Sequence, residues 1–240
     1  MITRPSAVAG HPALAVLTSM ATRRLLDDLA AVYRRRGVPV RVTARGGVDA
    51  VRSIRQGAVY DVAVLSDDAL RELMADDFIM AGSATPLVDS PLAAAVRDDA
   101  PPYDLATEAG LRQALLGCTV IGLSTGPSGR HLRQCFAQWG LSDAELRIVE
   151  APPGVPVGSL VADGSVALGF QQHSEFLAIP GLRILRALPP AIQTITTFST
   201  GLLRTCQNPA AARDWLAFLV SPEAAAFHAR HGLEPAQARA

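Results

Sequence analysis

Residues 13–37 read ALAVLTSMATRRLLDDLAAVYRRRG. The run 13–17 is apolar and of strand length. Thr18, Ser19 and Met20 then make a small polar turn. From Thr22 to Arg36, the side chains of Leu25, Leu26, Leu29, Val32 and Tyr33 fall on one face of a helix that stops at Gly37. The same order of strand, turn and helix recurs along the chain. Further strands are expected at 38–42, 61–65, 92–96, 119–123, 146–149, 166–170 and 194–203. Val48, Val51 and Ile54 form a shorter helical stripe that ends at Gly57. A helix over 128–139 ends at Gly140. The last two helices open with Asn208-Pro209 and Ser221-Pro222-Glu223, a capping residue followed by proline at the first helical position. Strands alternating with helices predict an α/β protein with mainly parallel sheets, and a functional region at the carboxyl ends of the strands.

Four strand-to-helix turns are rich in small or polar residues. They are Thr18-Ser19-Met20, Gly46-Gly47, the segment from Ser124 and Thr125 through Ser128, Gly129 and Arg130, and the segment from Pro152 through Gly154, Val155 and Pro156 to Ser159. The first turn of a helix leaves backbone N–H groups without intrahelical partners, and the helix dipole adds partial positive charge there. Hydroxyls add donors, and glycine lets a ligand approach the backbone. Such turns suit phosphate, sulfate or carboxylate. Capping and tight turning account for any one of them equally well.

Composition narrows the choice of chemistry. The chain has 240 residues, enough for one large domain or two small ones. It is 49% hydrophobic and 18% charged, as in a globular protein. Asp plus Glu and Lys plus Arg are both 22, so no basic excess marks a nucleic-acid binder. Every one of the 22 basic residues is arginine, which removes lysine Schiff-base chemistry and a P-loop lysine. Cys118, Cys135 and Cys206 match no zinc or redox spacing and read as small core residues. No run approaches the roughly 20 apolar residues of a membrane span. Gly10-His11-Pro12 breaks any secretory leader, so the sequence as written predicts a cytoplasmic protein, or a periplasmic one if a native leader precedes it.

Several segments together carry a family resemblance. They are Val16-Leu17-Thr18-Ser19-Met20, Gly46-Gly47-Val48, Gln56-Gly57-Ala58-Val59-Tyr60-Asp61-Val62, the loop from Ser124 to Leu132, and Phe218-Leu219-Val220-Ser221-Pro222-Glu223 with Gly232. In these the chain resembles the molybdate-binding-protein-like family of type II periplasmic solute-binding proteins. It departs from a molybdate binder in having glycines where that family offers serine in the second loop. It also has Gly169-Phe170-Gln171-Gln172-His173-Ser174-Glu175 where a tyrosine is expected. These features resemble a divergent branch that is itself similar to bacterial aconitate isomerase, a cofactor-free enzyme.

The resemblance implies a clamshell. One lobe would hold residues 1–86 and 195–240, the other 87–194, with crossing strands near 87–96 and 193–203 and the ligand between the lobes. It implies no cofactor, no metal and a monomer. The ligand contacts would be Ser19, Met20, Gly46, Gly47, Ser124, Thr125, Ser128, Gly129, Arg130, Val155, Pro156, Gln171 and Gln172. If the chain is an enzyme, an allylic proton shift needs an acid–base group, and His173, Glu175 and His131 are the candidates. A surface His173–Glu175 pair is the competing reading, and His11, His228 and His231 read as surface residues. Three functions follow: a small-anion binding protein, an isomerase of an unsaturated di- or tricarboxylate, and the sensor domain of a regulator. The expected partner is a small anionic ligand, without nucleic acid or membrane insertion, and a transporter only if the chain is exported.

Overall fold

Strand β1 (Leu14–Ser19) passes through a 3-10 turn at Met20–Thr22 into helix α1 (Arg23–Tyr33). The structure is a computed structural model and describes residues 13–142 and 145–237. The expected long first helix is therefore divided. A second 3-10 turn, Arg34–Arg36, finishes it, and Gly37 closes it at φ 87°. Next come β2 (Val40–Arg45), α2 (Gly47–Arg55), β3 (Val62–Ser66) and α3 (Asp67–Ala75). The middle of the chain holds β4 (Thr85–Arg97), α4 (Glu108–Gly117), β5 (Ile121–Leu123), α5 (Pro127–Gln138) and β6 (Ile148–Glu150). It continues through α6 (Val157–Ala162), β7 (Leu168–Gln172), α7 (His173–Phe176) and β8 (Leu182–Leu185). The chain returns through β9 (Ile195–Leu202), α8 (Pro209–Leu219), α9 (Pro222–His228) and the short β10 (Glu234–Pro235).

The strands follow the order β2-β1-β3-β9-β4-β7-β5-β6, with β8 and β10 also paired to β4. Pairings among β1, β2 and β3 are parallel, as are those of β5 with β6 and β7. Every pairing of β4 or β9 is antiparallel. The sheet is thus mixed, which corrects the expectation of mainly parallel pairing. The reason is β4. Its first half, Thr85 to Pro91, pairs with β9, and its second half, from Leu92, pairs with β7 and β8. One strand is shared by two sheet regions, and pairing slips by a bulge between Pro86 and Val88.

Period-two alternation decides the layering. On the first region, Val16, Val62 and Val64 face α1 and α8, where Leu25, Leu29 and Tyr33 pack with Trp215 and Phe218. Leu17, Ala63 and Leu65 face the other way, onto Val51 and Ile54 of α2 and Leu70 and Leu73 of α3. On the second region, Ile121, Leu123, Leu168 and Phe170 meet Leu111 and Leu115 of α4 and Leu132 and Phe136 of α5. The reading of His228 as a surface residue is overturned. It is 3% exposed, because α9 packs against α1 and turns this ring inward. His231 is half-buried and pairs with Asp28 at 3.0 Å, while His11 lies outside the described residues. All three cysteines are free, Cys135 buried and the other two half-buried.

Candidate functional site

Four helix starts converge on one cavity of about 80 Å³. Ser19, Met20 and Ala21 come from the turn after β1, and Gly46 and Gly47 from the start of α2. Ser66 comes from the start of α3, and Ser124 to Ser128 from the start of α5. Ala151, Pro152, Gly154, Val155, Gln172, Glu175 and Phe198 complete the wall. At roughly 10–15 Å³ per water, the space holds several waters or one small ligand.

These starts share a feature. Ser19, Gly46, Ser66 and Gly126 occupy the N-cap positions, and none of their side chains closes the first turn that follows. In α4, α8, α9 and α6 the first turn is closed. Thr107 accepts from Gly110 N at 3.0 Å, Asn208 from Ala211 N at 3.2 Å and Ser221 from Ala224 N at 3.3 Å. Gln171 Oε1 accepts from Val157 N, the first residue of α6, at 2.6 Å. Open first-turn donors are thus concentrated on the cavity.

The glycines of this site differ in their reasons. Gly46 has φ −56°, so any residue could adopt its backbone. An added Cβ at Gly47 would meet no atom within 4 Å, and one at Gly46 would meet only Asp49 Oδ2 at 3.7 Å. Neither backbone strain nor packing requires glycine there, and what glycine leaves is access to the helix start. Gly129 is the opposite case. Its added Cβ would lie 1.7 Å from the Ser124 carbonyl oxygen, so this glycine lets the loop fold back onto α5. The hydroxyls of Ser124 and Ser128 share a hydrogen bond of 3.0 Å across that loop.

The remaining candidates separate. Gln172 lines the cavity and is 4% exposed. Its Nε2 donates to Thr196 Oγ1 at 2.8 Å, and its Oε1 has no partner. The Thr196 hydroxyl can donate or accept, so this amide can offer the cavity either its carbonyl or its NH2. Gln171 points to the other face of β7, where its Oε1 closes α6 and its buried Nε2 has no partner. Arg130 lies outside the cavity, in an adjoining groove of about 480 Å³ that also holds Arg52 and Arg55. Pro156 borders a different groove with Arg23, Arg24 and Glu175. His131 lies outside the cavity, in a neighbouring groove with Ser66, Asp67, Asp68 and Pro127, and its Nε2 is 3.1 Å from the Ile192 carbonyl. His173 is buried behind the cavity, with Nδ1 3.3 Å from the Gly232 carbonyl, and burial holds its pKa below the usual histidine value.

Glu175 is the one ionisable side chain among the described residues that line the cavity. It keeps partial contact with solvent, yet its surroundings desolvate it enough to push its pKa up to about 7. The surface His173–Glu175 pair is therefore not formed, since one ring is buried and the carboxyl faces the cleft. Sequence reasoning missed Ser66 and Phe198. Ser66 carries the same signal as the other turns, a buried strand ending in serine before a helix, but Asp67 and Asp68 after it look like ordinary first-turn acids. Among the described residues, no cluster of three or more His, Cys, Asp or Glu could hold a metal ion, and no helix is long and apolar enough to cross a membrane.

The sequence model of a family described as bacterial extracellular solute-binding protein matches residues 14–234. An aconitate isomerase from a Pseudomonas species is 34% identical over 180 residues, covering 75% of this chain and 69% of that protein. The periplasmic molybdate-binding protein of Azotobacter vinelandii has the same fold, with a TM-score of 0.79 and 24% identity over 93% of this chain and all of that one. The sulfate-binding protein of Mycobacterium tuberculosis superposes with a TM-score of 0.72 and 17% identity, covering 95% and 88%.

Proposed function

The chain belongs to the bacterial extracellular solute-binding protein family, and on that premise we propose that it binds a small anion, a carboxylate or an oxyanion, at the four open helix starts. The observation that carries this reading is the distribution of caps. α4, α6, α8 and α9 are closed by Thr107, Gln171, Asn208 and Ser221, while α2, α3 and α5, whose starts line the cavity, are not. A partly buried anion at one helix start gains up to about 2 kcal/mol. Four starts supply at most about 8 kcal/mol, the scale of micromolar affinity. On the same reading the ligand sits between two lobes, 1–86 with 195–240 and 87–194. Ser19, Gly46, Ser66 and Phe198 approach it from the first, and Ser128, Gln172 and Glu175 from the second.

The reading carries an exported location and a transporter partner with it, as the family's description suggests. The cytoplasmic expectation rests on residues 1–20, of which 1–12 lie outside the described residues. The test is calorimetric titration with molybdate, sulfate, phosphate, cis-aconitate, trans-aconitate and fumarate. Saturable binding of at least one of these supports the reading. No binding by any of them counts against it.

A second reading, an isomerase of an unsaturated polycarboxylate, is favoured by the identity to aconitate isomerase and by Glu175 in the cavity. Such a reaction removes a proton from the saturated allylic carbon and returns one to the far alkene carbon. Atoms balance without a cofactor. One carboxylate can take the proton and give it back, while the helix starts hold the intermediate's negative charge. Following cis-aconitate by proton NMR with stoichiometric protein tests this. Absence of the trans isomer removes the reading for that substrate.

A further inference from the structure

The cavity contains a conflict. It gathers four helix starts around a small space, and Glu175, the one ionisable wall group among the described residues, is an acid. Two unit negative charges about 4 Å apart repel by about 4 kcal/mol at an effective dielectric constant of 20. That cancels a large part of what the helix starts supply. An anion and an ionised Glu175 therefore compete for the same donors.

No ion pair with a described residue resolves this. Glu175 makes no hydrogen bond with any described residue. Arg23, Arg24 and Asp27 share an outer groove with it, and Arg23 is directed to Asp27 at 3.6 Å. On its own helix His173 is turned to Gly232. On β8, Arg183 donates to the carbonyls of Asp98, Ala100 and Pro101, and Arg186, just beyond that strand, acts on His173. The parts of β4 that pack on α7 present Ala93 and Ala95. The 3-10 turn Met20–Thr22 presents no charge at all. A second observation points to a ligand in the same place: the unpartnered Gln172 Oε1, on a side chain 4% exposed that lines the cavity.

We propose that the site takes its anion together with one proton, held on Glu175. This rests on the anion-site reading above and adds its pH control. The protonated carboxyl turns a repelling charge into a hydrogen-bond donor or into a neutral wall. Burial already favours that state, pushing the pKa up to about 7, and an anion beside it pushes in the same direction. The coupling is reciprocal, so the proton tightens the anion as much as the anion tightens the proton. Affinity is then level below about pH 7 and falls about tenfold per pH unit above it.

The experiment is calorimetric titration of the full chain with sulfate, molybdate, fumarate and trans-aconitate, in two amine buffers of different ionisation heat. The titrations run from about pH 6 to about pH 9, with the proton count taken at about pH 8, where all four probes are fully ionised. The expected result is close to one proton taken up per anion bound at about pH 8. Glu175→Gln should take up none, show no pH slope, and bind at least about tenfold more tightly than the unaltered protein at about pH 9. Binding without proton uptake overturns the inference and leaves the anion site standing, and so does uptake that persists in Glu175→Gln. If no probe binds, both fall together. The proton count of the unaltered protein stands without the variant, should that variant fold poorly.

Discussion

Two sets of helix starts in this protein follow opposite rules. Thr107, Asn208 and Ser221 close the helices they precede, each accepting a backbone N–H from the first turn. Ser19, Gly46, Ser66 and Gly126 stand at equivalent positions and do not. The residue types overlap, since serine appears in both sets. Position in the fold makes the difference. The closed starts lie away from the cavity and serve stability, while the open ones face it and keep their donors for something else. A capping residue in a sequence thus signals where a helix begins, and only the three-dimensional arrangement shows what its donors are for.

The two sets make separable predictions. The largest effect concerns the glycines. Gly47→Val, placed where an added Cβ meets nothing, should cost at least about a hundredfold in anion affinity and leave the melting temperature nearly unchanged. Gly129→Ala should do the reverse of the second part. It forces Cβ onto the Ser124 carbonyl, so the fold should lose about 3 kcal/mol or more by denaturant titration. Equal stability losses in both variants would break the distinction between access and packing.

The next effect concerns Glu175. Its folded pKa of about 7 lies above the ordinary carboxylate value, because burial desolvates it. Its favourable contribution is full below about pH 4.5 and is lost as pH rises through about 7. Glu175→Gln should therefore be the more stable protein at about pH 8, by no more than about 3 kcal/mol. The two proteins should converge in acid, and chemical denaturation across pH checks this.

Smaller changes sharpen the contrast. Asn208→Ala, at a closed start, should lose about 1 kcal/mol of stability and no affinity. Ser66→Ala, at an open one, should lose affinity and little stability. His228 tests a third environment. Burial, and then the nearby His231, holds its pKa below the ordinary value, so the fold keeps it neutral. Stability it contributes is present above about pH 6.5 and lost as pH falls below that. His228→Leu should flatten the acid limb of the stability profile.

Much of this architecture was legible in the sequence, because local rules decide it. Gly37, Gly57 and Gly140 do end helices, each with positive φ, and the Asn208-Pro209 and Ser221-Pro222 openings behave as read. The turns at Ser19, Gly46 and Ser128 do meet on one cavity. What was not legible depends on tertiary contact. β4 runs through Pro86 and Pro91, which discourage a strand locally, because its two halves are paired by different partners. Ser66 looks like a plain cap until α3 is placed beside α2. Gln171 and Gln172 are adjacent and alike in type. The strand's alternation sends one under α6 and the other to the cavity. Glu175 faces the cavity because the four residues of α7 pack on the turn Met20–Thr22, a contact with no local signature.

The most direct test of the two-rule account is a backbone-amide NMR titration of the full chain with molybdate and trans-aconitate. The account predicts saturable shifts for the amides of Gly47, Val48, Asp67, Asp68 and Ser128, at the open starts. Those of Gly110, Ala211 and Ala224, at the closed starts, should stay in place. Saturable shifts confined to the closed starts, or to neither set, would contradict it.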